Sequence, residues 1–126
     1  MKKVLSLTFL VFIFFTNTAF AEKWFEGGNL HNANALTWQK ATPENKLATC
    51  ADFIAGLYSK ELLAPEINRK IKSVDDFEPY ASELAKQIDD AFTPESDPAK
   101  NKEMFTNQSV KSTAMMLMIM MQWVQD

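Results

Sequence analysis

The chain has one cysteine (Cys50), one histidine (His31) and one arginine (Arg69) in 126 residues. A single cysteine cannot form an intramolecular disulfide, so the core alone must stabilise the fold. One guanidinium leaves little scope for bidentate clamps on phosphates or carboxylates. The chain also lacks glycine-rich phosphate loops, nucleophile elbows and Cys/His sets with metal-ligand spacing. We therefore expect no catalytic residues, no metal site and no cofactor.

Glycine and proline are also scarce, with three glycines and five prolines in the whole chain. No glycine-rich or serine-rich tract is present, so the sequence does not predict long linkers or extensive disorder.

The first 21 residues have the pattern of a cleavable signal peptide. Two lysines follow Met1, residues 4–15 form an almost continuous apolar run, and Ala19 and Ala21 are the small residues of a cleavage site. The run is too short to span a bilayer, which needs about 20 apolar residues. We expect residues 22–126 to form a single exported domain, periplasmic in a Gram-negative bacterium and secreted otherwise, with no membrane association after cleavage.

Acidic residues outnumber basic ones in the predicted domain. Removing Lys2 and Lys3 from the 13 basic residues leaves 11 against 16 acidic ones, a net charge of −5. Nucleic-acid binding relies mainly on basic side chains that neutralise phosphates, so this class of partner is disfavoured. No basic amphipathic stretch is present, which also disfavours binding to a membrane surface.

Apolar residues recur at helical spacing through most of the domain. Thr42 and Pro43 have the N-cap and first-turn pattern of a helix, and Ser73 with Asp76 has the form of a capping box. Residues 93–102 are predicted to be a polar loop. The predicted helices cover about residues 30–41, 43–62, 65–73, 77–92, and from 107 or 109 to 124.

The expected fold class is all-α, a small bundle of four to five helices, because no strand or hairpin pattern is present. Residues 114–121 read AMMLMIMM, an uninterrupted apolar run. A helix that is apolar all round is normally surrounded by other helices or covered by a partner. We therefore expect the Met-rich C-terminal helix to lie in the core.

Methionine also offers a different chemistry, because thioether sulfur is a soft ligand that favours Cu(I). Helical spacing places Met116 beside Met120, so a pair of ligands is geometrically possible. Leu117 and Ile119 interrupt these methionines, and this apolar setting favours a core helix or a partner-facing helix instead.

His31 and Cys50 are the residues that could act as base and nucleophile. No acidic residue or cysteine lies three or four positions after His31, so a structural role is favoured for the imidazole. Cys50 lies beside the apolar stripe of a predicted helix, where a thiol is usually a small buried hydrophobe. Reactive cysteines need electropositive surroundings, which are not evident here.

The segment after the predicted cleavage site supplies candidates for a binding surface. Two aromatic residues precede a glycine pair, a pattern typical of an anchored chain end followed by a turn. The aromatic residues of this region are expected to be exposed, and the edge of the C-terminal helix is a second candidate surface. The candidate binding residues are Trp24, Phe25, Gly27, Gly28, His31 and Trp38.

Three stretches that cover most of the domain carry a family resemblance: GGNLHNANALTWQKATPENKLATCADF, FEPYASELAKQIDDAF and QSVKSTAMMLMIMMQW. A GG-x-LH segment precedes a Trp-containing helix, an N-K-L-A-T-x-A-D helix follows, and an apolar C-terminal helix ends in Trp. With these motifs the chain resembles a group of small exported bacterial helical proteins of unknown function. This resemblance implies export and a helical fold, without an activity. The chain is also weakly similar to periplasmic acid-stress chaperones and toxin-immunity proteins, which usually carry a cysteine pair that it lacks.

These observations predict an exported, non-enzymatic helical protein that binds another protein, and that is itself a monomer or weak dimer. An acid-stress chaperone is a second hypothesis, because protonation of its 16 carboxylates below about pH 4 would make the net charge positive and loosen the bundle. A small exported helical domain also fits a toxin-immunity or inhibitor protein, and the methionines fit copper binding.

Overall fold

The computed structural model describes residues 23–126, and this part of the chain contains six α-helices and no strand. The all-α prediction is confirmed, with six helices in place of the four to five expected. The predicted signal peptide, residues 1–21, lies outside the described residues. The helices are α1 (Ala35–Lys40), α2 (Pro43–Ser59), α3 (Pro65–Asn68), α4 (Glu78–Ala91), α5 (Pro98–Phe105) and α6 (Val110–Met120), with a 3-10 helix at Val74–Phe77.

Two of the predicted capping motifs are confirmed. The Thr42 hydroxyl accepts a hydrogen bond from the Asn45 backbone N–H at 3.2 Å, and α2 begins at the following Pro43. Ser73 and Asp76 form the predicted capping box, in which the Asp76 carboxylate accepts from the Ser73 N–H at 3.0 Å, and this box begins the 3-10 helix that leads into α4. Short-range side-chain caps of this kind are encoded within a few residues, which is why the sequence predicts them well.

Three other boundaries differ from the prediction. α1 begins at Ala35 and not near residue 30, because the Asn34 side chain caps it by accepting from the Thr37 N–H at 3.1 Å. α3 has only four residues. The prediction of a loop at residues 93–102 is wrong for its second half, because α5 begins at Pro98. The Asp97 side chain caps this helix by accepting from the Ala99 N–H at 3.1 Å.

The C-terminal ends of α2 and α6 have the same geometry and pair with each other. Glu61 and Gln122 each follow a helix with a positive φ, 59° and 62°. The Leu62 N–H then bonds back to the Leu57 carbonyl at 2.8 Å, the Schellman pattern of helix termination. Beyond these turns, residues 62–64 and 123–125 run side by side with two backbone hydrogen bonds, of 2.8 and 2.7 Å.

The core lies mainly between α2 and α4. α4 also packs against α6, and α1 packs against α5. Large side chains on these elements are almost completely buried, and they include Trp38, Ile54, Leu84, Ile88, Phe92 and Met118. This continuous apolar cluster stabilises the fold without a disulfide.

The expectation that α6 is surrounded by the core is wrong for one of its faces. Its inner side buries Val110, Ala114 and Met118. Its outer side exposes four large apolar residues, whose exposed fractions are Met115 40%, Met116 53%, Ile119 57% and Met120 70%. A run that is apolar all round carries no information about which face packs, and in this bundle the neighbouring elements cover only one.

Among residues 23–126, no helix combines the length and apolar character needed to cross a membrane.

Candidate functional site

The segment before α1, residues 23–34, is fixed onto the bundle by side-chain hydrogen bonds. The Trp24 indole N–H donates to the Asp75 carboxylate at 2.9 Å. The Asn29 N–H donates to the Asn45 side-chain oxygen at 3.0 Å, and the Asn45 amide donates back to the Asn29 side-chain oxygen at 2.7 Å. This segment, which we call the N-terminal segment, is therefore an ordered part of the fold.

The glycine pair has a structural explanation. Gly27 adopts a φ of 87°, a conformation that side chains disfavour. A Cβ on Gly28 would lie 2.5 Å from the Thr49 backbone nitrogen and 2.8 Å from the Ala48 carbonyl carbon. The N-terminal segment thus touches the α2 backbone at Gly28, and the Leu30 N–H then donates to the Thr49 hydroxyl at 3.3 Å.

His31 has an acidic partner that its sequence neighbourhood does not reveal. Its Nε2 lies 2.8 Å from Oδ2 of Asp52, 21 residues further along the chain on α2. The imidazole also packs against the Phe53 ring in a T-shaped arrangement, with the ring centroids 5.5 Å apart. Both side chains are about one-third to one-half exposed, so this contact stabilises the fold by at most about 1 kcal/mol. The contact joins the N-terminal segment to α2, which fits the structural role favoured for His31.

Trp38 is fully buried, so the prediction that it is an exposed aromatic residue is wrong. Its indole N–H donates to Oδ1 of Asp89 at 2.8 Å, and the same oxygen accepts from the Lys46 ammonium at 2.8 Å. The Lys46 nitrogen also lies 5.5 Å from the centre of the Trp38 ring system. Trp38 therefore packs in the core on the inner face of α1, and it is not available to contact a partner at the surface.

Trp24 and Phe25 are half-buried and pack edge to face, with ring centroids 5.5 Å apart. A groove of about 440 Å³ lies beside Trp24, between the N-terminal segment and the start of α2. Its charged lining residues are Lys23, Glu26 and Glu44, which are of mixed sign. The hydrogen bonds and the close contact at Gly28 attach this segment to the bundle and do not themselves indicate a partner. Binding of a partner here therefore remains a prediction.

Cys50 is sealed in the core, with no exposed surface. Burial raises the pKa of its thiol far above the usual range, and the Asp89 carboxylate acts in the same direction. The thiol therefore stays protonated, and a thiol is neither an effective nucleophile nor a good metal ligand. This agrees with the interpretation of Cys50 as a small buried hydrophobe.

The outer side of α6 exposes a cluster of four large apolar side chains, which we call the Met face: Met115, Met116, Ile119 and Met120. Together with Lys111 and Ser112 these residues line an open groove of about 530 Å³. Their numbers step by one and three along α6, the spacing of a single helix face. Scattered exposed apolar residues are ordinary, but a contiguous patch usually marks a binding surface.

The Met face has opposite charges at its two ends. Lys111 lies at its N-terminal end, in the first turn of α6. Towards the other end Ile119 also lines a second groove, of about 720 Å³, whose charged lining residues are Glu66 and Asp126. The methionines are evident from the sequence, but this charge arrangement is not, because Glu66 belongs to α3, which is far from α6 in sequence.

Neither a scan against protein-family models nor searches of curated proteins and of solved structures found a match to this chain. The resemblance to small exported bacterial proteins therefore stays a prediction. Among residues 23–126, no group of three or more His, Cys, Asp or Glu side chains could hold a metal ion.

Proposed function

We propose that this chain is an exported, non-enzymatic helical protein that binds another protein through the Met face. The observation that carries the proposal is the exposure of four large apolar side chains on adjacent turns of α6. Export is proposed on the signal-peptide pattern of residues 1–21. A non-enzymatic role is proposed because, among residues 23–126, the two candidates for catalysis are engaged elsewhere: the Cys50 thiol is buried and protonated, and His31 contacts Asp52.

The energetics of the Met face favour this role. Burying a methionine or isoleucine side chain stabilises a structure by about 1.5–3 kcal/mol relative to full exposure. Met116, Ile119 and Met120 forgo at least half of that gain in the isolated chain, since each is more than half exposed. A partner that covers the face recovers it. Methionine is also flexible and polarizable, which suits a surface that adapts to another protein.

A photo-reactive methionine analogue tests this surface directly. Met116 and Met104 are a matched pair, because they are 53% and 50% exposed and lie on different helices, α6 and α5. Incorporation at position 116 in exporting cells should give a defined protein adduct after irradiation, whereas incorporation at position 104 should not. The adduct should disappear when Ile119→Asp is added. Equal adducts from both positions, or none from position 116, would contradict the proposal.

Cu(I) binding is a second candidate that the same exposure favours. The apolar setting of the methionines disfavours copper, but Met116 and Met120, one helical turn apart, are both exposed and so accessible to a metal ion. Replacing both with leucine removes the thioethers and keeps the face apolar. A Cu(I) titration should then lose a binding event in the double variant if copper is the ligand, while protein binding should be retained. An unchanged titration would remove copper from consideration.

A further inference from the structure

The distribution of charge along the Met face is complementary to that of a second, antiparallel copy of the same face. The groove that the Met face shares with Lys111 and Ser112 has its midpoint at Met115 and Met116, and the Lys111 ammonium lies at its N-terminal end. Near its C-terminal end, Ile119 also lines the second groove, whose lining includes the carboxylates of Glu66 and Asp126. A surface with an apolar centre and opposite charges at its ends matches a second copy placed antiparallel to it. A parallel copy would bring lysine to lysine and carboxylate to carboxylate.

We propose that the partner at the Met face is a second copy of this chain, with two α6 helices packed antiparallel about a two-fold axis. This inference rests on the proposed function and names its partner. Two-fold interfaces use the same patch on both subunits, so each contact occurs twice. In this arrangement Met115 and Met116 lie at the axis, and Lys111 of each protomer faces the acidic end of the other.

The length of α6 fits this pairing. Its 11 residues extend over roughly 16 Å at 1.5 Å per residue. Lys111 lies about four and a half residues, or roughly 7 Å, from the midpoint of the groove along the helix axis. An antiparallel copy therefore places it opposite Met120, beside the groove that leads to Glu66 and Asp126. The lysine side chain is long and flexible enough to reach across a helix interface of this kind.

The size of the face predicts a weak dimer. A stable interface usually buries about 800 Å² on each partner. One helix face with four exposed apolar residues supplies only part of that area, even when the adjoining groove contributes. We therefore expect a dissociation constant on the order of micromolar and a monomer at high dilution.

Sedimentation equilibrium of the exported protein, at concentrations from about 1 to 500 µM, tests the dimer. Ile119→Asp should abolish association, and Lys111→Glu should weaken it about tenfold, because the lost charge contact occurs twice. Adding Glu66→Lys to Lys111→Glu should restore part of the affinity. Met104→Asp, on α5, is the matched control and should leave the dimer unchanged. Circular dichroism confirms that each variant is folded.

Engineered cysteines test the antiparallel register. Met116→Cys lies at the proposed axis and should form a disulfide with its own copy, whereas Ser112→Cys should not. Ser112→Cys mixed with Ile119→Cys should give the mixed dimer. Cys50 does not interfere, because it is buried.

The outcomes separate this inference from the proposed function. A protein that stays monomeric at 500 µM, or an Ile119→Asp variant that associates like the parent, overturns the dimer. Self-crosslinking of Ser112→Cys without the mixed product overturns the antiparallel arrangement. If the photo-adduct at position 116 contains a different protein and the purified chain is monomeric, the proposed function stands and the dimer fails.

Discussion

Two glycine-to-alanine substitutions in this chain should change stability in opposite directions. A methyl group on Gly28 would lie 2.5 Å from the Thr49 nitrogen and 2.8 Å from the Thr49 Cα and the Ala48 carbonyl carbon. All three atoms belong to the α2 backbone, so the clash can be relieved only by moving the N-terminal segment away from α2. Overpacking of this kind costs about 1–3 kcal/mol.

Gly56 is the matched control. It lies inside α2, and a Cβ there meets no atom within 4 Å. Alanine at this helical position should stabilise the protein by about 0.5–1 kcal/mol, because it restricts the unfolded chain and favours the helix. The same substitution therefore tests a steric clash at Gly28 and helix propensity at Gly56.

Thermal unfolding followed by far-UV circular dichroism measures both effects. For a domain of about 100 residues, 1 kcal/mol shifts Tm by roughly 4 °C. Gly28→Ala should lower Tm by roughly 4–12 °C and Gly56→Ala should raise it by roughly 2–4 °C. Urea unfolding at 25 °C should give the same order of stability. A Gly28→Ala variant as stable as the parent would refute the close approach of the N-terminal segment to α2.

Three further predictions concern other parts of the chain. Asp89→Ala leaves the buried Trp38 N–H without its acceptor, so it should lower the free energy of unfolding in urea by about 1–3 kcal/mol. Asp90→Ala, at an exposed neighbouring position, should change that free energy by less than about 0.5 kcal/mol. Glu61→Gly relieves the positive φ of 59° after α2 and should raise Tm by about 2–4 °C, an effect absent if the turn adopts another conformation. N-terminal sequencing of the exported protein should begin at Glu22; a retained leader would contradict the predicted cleavage.

Local signals explain which helices the sequence predicts. The Thr42-Pro43 start of α2 depends on neighbouring residues alone, and its cap is confirmed. Asp97-Pro98 has the same form at the start of α5, but its charged, proline-containing surroundings resemble a loop. The cap pattern is the stronger signal there, since proline is well tolerated in the first helical turn.

Long-range pairing explains what could not be predicted. Helix ends are usually recognised by glycine, but the turn after α2 has Glu61 and the turn after α6 has Gln122. Backbone pairing of the two chain segments beyond these turns accompanies their geometry. The partner of His31 lies 21 residues away and that of Trp38 lies 51 residues away, so neither contact leaves a local pattern.

The candidate surface differs from the predicted one for a related reason. Aromatic residues near the start of the predicted domain suggest a binding surface, yet Trp38 is buried and Trp24 is held by Asp75. The methionines are expected in the core because an apolar run has no polar side that would identify its exposed face. Packing of α6 against distant parts of the chain, above all α4, determines which methionines stay uncovered.

Because Cys50 is completely buried, the oxidation state of its thiol depends on whether the molecule has been unfolded. An oxidant reaches the sulfur only when the core opens, so the folded state itself protects the thiol. In an oxidising compartment, a chain that folds quickly keeps a free thiol, whereas a chain that lingers unfolded is captured as a covalent dimer or mixed disulfide. The fraction of oxidised Cys50 therefore measures the time that the population has spent open.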